Sequence, residues 1–131
     1  MIPIELVDAV LKEGLGEDVP PEERAFWHAT YQENYTGDPG RKRVRISSIN
    51  LRDRDGLHGR LDSVRCPVLR MHGTEDPVYS IANAEEEMPL FVNSPDAELR
   101  VVEGGQHFLS ASNPAEVNPA SAEFIDRWQG V

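Results

Sequence analysis

Apolar residues follow a helical period over the first half of the chain and gather into short continuous runs over the second. Ile4, Leu6, Val7, Val10 and Leu11 recur at three- and four-residue steps, which predicts a helix over 3–13, stopped by Gly14 and Gly16. Pro20-Pro21-Glu22-Glu23 opens a second helix, because proline is tolerated in a first turn and early carboxylates suit the helix dipole. Its apolar side is Phe26, Trp27, Thr30, Tyr31 and Tyr35. Gly37-Asp38-Pro39-Gly40 reads as a turn cluster. A third helix is expected over 41–52 on a stripe of Val44, Ser48, Ile49 and Leu51, ending before Gly56 to Gly59.

From Cys66 the pattern changes. Pro67-Val68-Leu69-Arg70-Met71-His72 and Ala97-Glu98-Leu99-Arg100-Val101-Val102-Glu103 are strand-like runs, each closed by glycine. Residues 81–91 between them read as mostly helical. Asn113-Pro114-Ala115-Glu116 opens a last helix with Val117, Phe124, Ile125 and Trp128 facing inward. Strand, helix, strand, helix predicts an α/β fold with parallel strands.

Composition narrows the function. With 131 residues, 39% apolar and 27% charged, the chain is globular rather than disordered. A net charge of −10 repels polyanions, so neither nucleic acid nor an anionic membrane is an expected partner. The acid is uneven. Residues 41–65 carry eight bases and three acids, with Arg41-Lys42-Arg43-Val44-Arg45 at their head. That block reads as a solvated helix face, the other reading being a grip on phosphate or an acidic partner. No interleaved aromatics support base stacking. Glu85-Glu86-Glu87 reads as a solvated face as well.

Cys66 is the lone cysteine, which excludes an intrachain disulfide, fits a reducing, cytoplasmic compartment or indifference to redox, and suggests a small core residue. No run of about 20 apolar residues could span a membrane, and Met1 to Glu5 lack a signal-peptide pattern. His28 and His58 have no partners at ligand spacing, so no metal or other cofactor is expected. His72, at the end of its strand, is expected to serve packing.

Both strand runs end in glycine followed by ionisable residues: His72-Gly73-Thr74-Glu75-Asp76-Pro77 and Glu103-Gly104-Gly105-Gln106-His107-Phe108. Ligands of open parallel sheets gather outside the carboxyl ends of the strands. Two neighbouring parallel strands would therefore present Asp76 and His107 at one rim, where a carboxylate can fix the tautomer of an imidazole acting as general base. The bland alternatives are an Asp-Pro turn and a loop histidine after Gly-Gly.

These two runs, with the closing stretch from Asn113 to Ile125, resemble the last strands and helix of the α/β-hydrolase family. The resemblance covers residues 66–128. It implies that Asp76 is the triad acid and His107 the triad base. It also implies that residues 1–65 form a helical cap or lid, and 66–131 a C-terminal core segment. A lid in that family lines the substrate pocket, so Trp27 and Tyr31, with Phe108 beside the base, become candidate pocket walls for a small-molecule substrate. For Trp27 and Tyr31, packing against the rest of a core is the equal alternative.

The sequence departs from the family in one respect. Family order is nucleophile, acid, histidine, with the nucleophile on a Gly-x-Ser-x-Gly elbow. Ser47, Ser48, Ser63, Ser80 and Ser110 lack the flanking glycines. The expectation is thus the lid and C-terminal part of an esterase-like hydrolase, inactive by itself, whose nucleophile and oxyanion hole lie elsewhere. Two strands also leave an orphan edge, so association with the missing half or with a second copy, as a dimer, is expected. The rival reading is a truncated relic used for dimerisation or ligand binding. The two differ on whether Asp76 and His107 meet.

Overall fold

The computed structural model describes residues 3–129. Helices α1 (Ile4–Leu15), α2 (Pro21–Tyr35) and α3 (Gly37–Asp53) fill the first half. A 3-10 turn (His58–Ser63) leads to β1 (Val68–Gly73), α4 (Ile81–Glu87), a second 3-10 turn (Met88–Leu90), β2 (Ala97–Val102), α5 (Leu109–Ser112) and α6 (Pro114–Trp128). The chain is thus mixed helix and strand. Among the described residues no helix is long and apolar enough to cross a membrane.

Two compact units divide it: residues 3–12 with 16–56, and residues 13–15 with 57–129. The expected division after residue 65 falls inside the second unit, which takes in the His58–Ser63 turn and the end of α1.

In the first unit Val7 and Leu11, one helical turn apart on α1, are buried. Asp8 joins α1 to α2. Its Oδ1 accepts from Arg24 Nη1 at 3.2 Å and lies 2.9 Å from His28 Nε2. The hydrogen bond with His28 holds the Asp8 carboxyl below its ordinary value, against a smaller upward push from desolvation. The expected Gly37–Gly40 turn is instead the first turn of α3. Thr36, extended at φ −93° and ψ 154°, makes the whole break between α2 and α3, and Pro39 sits where a helix needs no amide. Nor does the expected α3 stripe find cover: Val44, Ile49 and Leu51 are exposed. The basic block is exposed along the same helix, with Arg43 Nη1 donating to the Asn34 carbonyl at 2.7 Å.

The second unit is built on a two-stranded parallel sheet, β1 beside β2, in register from Val68 with Ala97 to Gly73 with Val102. Leu15, Leu61, Ala84, Val102 and Val117 are its buried apolar residues. Val68, Leu69, Met71 and Leu99 are half-buried, and Val101 is exposed. The apolar runs that a doubly covered parallel strand wants are thus only partly covered. Ion pairs dress the sheet: Arg100 reaches Glu98 and Glu123, Arg127 reaches Asp96 and Glu98 at 3.1 Å, and Arg70 reaches Glu87. Glu87 is therefore not the solvated residue expected. One turn beyond Asn83, it is the only member of the acidic run turned towards β1, and the Arg70 guanidinium lowers its carboxyl below the usual range.

Two further expectations are corrected. Cys66 is exposed, because β1 begins two residues later and the chain ahead of it only lends a carbonyl to Ser94 Oγ. Ile125 is exposed, because the inward stripe of α6 runs Val117, Phe124, Trp128, at steps of seven and four that leave position 125 outside.

Candidate active site

The loops after β1 and β2 leave the same end of the sheet, because the strands are parallel and adjacent. They are stitched to each other. Thr74 N–H donates to the Val102 carbonyl at 3.0 Å and Glu75 N–H to the Gly105 carbonyl at 2.9 Å. Gly104 N–H donates to Thr74 Oγ1 at 2.8 Å, and Gln106 Nε2 to Glu75 Oε2 at 2.7 Å. Gly104 turns the second loop at φ +68°, a left-handed conformation that glycine adopts without strain.

The stitched loops bring Asp76 and His107 together, 31 residues apart in sequence. His107 Nδ1 stands 3.0 Å from Asp76 Oδ2 and 3.2 Å from Oδ1. Asp76 Oδ1 also accepts from the backbone N–H groups of Val78, at 2.7 Å, and Tyr79, at 3.0 Å. The Asp-Pro step therefore does form a turn, and the turn itself aims the carboxylate. Desolvation pushes the Asp76 carboxyl up, since its side chain is only 8% exposed. The hydrogen bonds from His107, Tyr79 and Val78 outweigh that push, and the carboxyl lies below its ordinary 3.8.

With Asp76 ionised, the hydrogen of the neutral imidazole belongs on Nδ1, where it has an acceptor, and Nε2 is left basic. The ring is 30% exposed, against 8% for the carboxylate. The pair thus combines a buried orienting carboxylate with an accessible base, the division of labour required for proton transfer to and from a nucleophile. Tyr79 and Phe108 flank the imidazole, their ring centroids 5.9 and 5.7 Å away.

The remaining candidates belong to both units. Phe108 adjoins the base, and its N–H donates to the Gly14 carbonyl at 2.7 Å. Tyr31, in the first unit, lines a cavity of about 260 Å³ with Leu6, Val10, Tyr35 and Val44. Trp27 packs edge-on against Phe26 at 5.4 Å. Among the described residues no group of three or more His, Cys, Asp or Glu side chains gathers to hold a metal. His72 is buried, as a packing residue would be, yet its Nε2 makes a directed bond to the Tyr79 carbonyl at 2.9 Å and lies 3.9 Å from Asp76 Oδ2. No side-chain pattern points to that bond, since its acceptor is main chain.

No protein-family model, curated protein or solved structure matches the chain.

Proposed function

We propose that this chain carries the acid and base of a nucleophile–histidine–acid hydrolase of the α/β-hydrolase kind. In that reading Asp76 orients His107. Nε2 of His107 takes the proton of an attacking hydroxyl and returns it to the leaving group, then does the same for water. The nucleophile comes from a segment outside residues 1–131, and residues 1–65 serve as lid. What supports the reading is one observation: a buried carboxylate bonded to Nδ1 of a partly exposed imidazole, held between loops from two adjacent parallel strands. The half-covered strands β1 and β2, each with a single neighbour among the described residues, favour a partner at the sheet. The nucleophile-bearing half, or a second copy of the chain, is that partner.

The test is chemical. Serine-directed fluorophosphonate should label no serine of this chain, and activated esters should not be turned over by it. When a segment with a Gly-x-Ser-x-Gly elbow restores the sheet, ester turnover should appear and fall by about 10³-fold or more in His107→Gln. Labelling of Ser47, Ser48, Ser63, Ser80 or Ser110, or turnover indifferent to His107→Gln, overturns the reading.

A further inference from the structure

His72 is buried, and a buried imidazole needs its polar atoms paired. A carbonyl oxygen can only accept, so at 2.9 Å from the Tyr79 oxygen His72 Nε2 carries the hydrogen and donates it. The same Tyr79 residue donates its own N–H to Asp76 Oδ1 at 3.0 Å. Tyr79 therefore bridges two side chains. On its carbonyl it is held by a buried ring fixed at the end of β1. On its amide it holds the carboxylate that faces His107. Tyr79 is itself exposed, and its ring lies beside that of His107, centroids 5.9 Å apart. The anchor from within the fold is the imidazole of His72. Its Nε2, 3.9 Å from Asp76 Oδ2, is beyond hydrogen-bond reach of the carboxylate, so the hydrogen-bonded link between the two runs through the Tyr79 backbone.

We infer that His72 is a positioning residue for the Asp76–His107 pair, fixing the 76–79 turn through the Tyr79 carbonyl and thereby the direction in which the carboxylate meets Nδ1. This rests on the proposed acid–base reading, and it gives a role beyond packing to a residue that the triad pattern leaves idle. The donor atom matters more than the ring. Glutamine places an amide N–H near the position of Nε2. Phenylalanine fills the volume and offers no donor.

The experiment follows the His107 Nδ1–H proton by long-range ¹H–¹⁵N NMR of the imidazoles in the full chain. In wild type the proton is observed and slow to exchange. In His72→Phe it should exchange about 10-fold faster, the equivalent of one hydrogen bond, while His72→Gln restores the wild-type rate. A His72→Phe chain that is folded and keeps the wild-type rate overturns the inference and leaves the pair standing. A wild-type chain without the proton overturns the pair and this inference together. Should His72→Phe not fold, His72→Gln carries the test: the introduced side-chain amide must be protected from exchange, and an unprotected amide beside an unchanged His107 proton overturns the role.

Discussion

Gly73 and Gly105 meet backbone to backbone: a β-carbon on Gly73 would fall 2.1 Å from the Gly105 carbonyl oxygen. That approach lets the loop carrying Asp76 and the loop carrying His107 share hydrogen bonds. Gly73→Ala must push them apart. The backbone shift should destabilise the second unit by about 1–3 kcal/mol, read as a lower urea midpoint at unchanged slope. It should also weaken the His107 Nδ1–H signal more than a mutation of similar cost elsewhere.

Acid should act on the site through Asp76. Its folded-state carboxyl lies below 3.8, so the unfolded chain binds the proton first as pH falls. The stabilisation is fully present above about pH 4 and disappears as pH drops through the folded value. Asp76→Asn should therefore cost roughly 1–3 kcal/mol at pH 7, and the gap from wild type should narrow towards pH 3. Urea midpoints of both proteins at the two pH values check the sign. The half-buried Glu98 and the exposed Glu123, both lowered chiefly by Arg100, add a shallower acid loss common to both proteins.

The half-covered sheet should make the chain associate. Exposed Val92 and Val101 and the open strand edges offer apolar and hydrogen-bonding surface together. A two-stranded sheet is marginal alone. Sedimentation velocity at micromolar concentration should show a coefficient that rises with concentration. A monomer at every concentration contradicts the expectation.

The basic block is expected to be inert towards the fold. Arg41, Lys42, Arg43 and Arg45 are exposed, and their partners, Asp38 for Arg41 and the Asn34 carbonyl for Arg43, are on the surface too. Replacing all four with glutamine should change stability by less than about 0.5 kcal/mol per site. Thermal melts with and without the substitutions measure this.

Apolar spacing located the helices and strands, because it responds to burial, although the α3 stripe of Val44, Ile49 and Leu51 stays exposed. Val7 and Leu11 are buried one turn apart, and Val68 pairs with Ala97 as parallel runs should. The meeting of Asp76 and His107 was legible for the same reason: two parallel neighbours ending in glycine leave their loops at one rim. Contacts set by tertiary neighbours or by main-chain acceptors were not. Asp8 and His28 are 20 residues apart on separate helices, with no pattern to join them. Glu87 leaves its acidic run for Arg70 only because α4 lies on β1. Ile125 looks inward on hydrophobicity alone, but it sits off the Val117, Phe124, Trp128 stripe of α6 and is exposed. The His72 bond ends on a carbonyl, which every residue possesses, so side-chain identity could not point to it.

The most direct measurement is the tautomer of His107, read from its imidazole ¹⁵N shifts at neutral pH in wild type and in Asp76→Ala. A carboxylate bonded to Nδ1 predicts the Nδ1–H form in wild type, with a downfield, slowly exchanging proton that vanishes in a folded Asp76→Ala chain. A wild-type ring that carries its hydrogen on Nε2, or an Nδ1 proton indifferent to the loss of Asp76, contradicts the account.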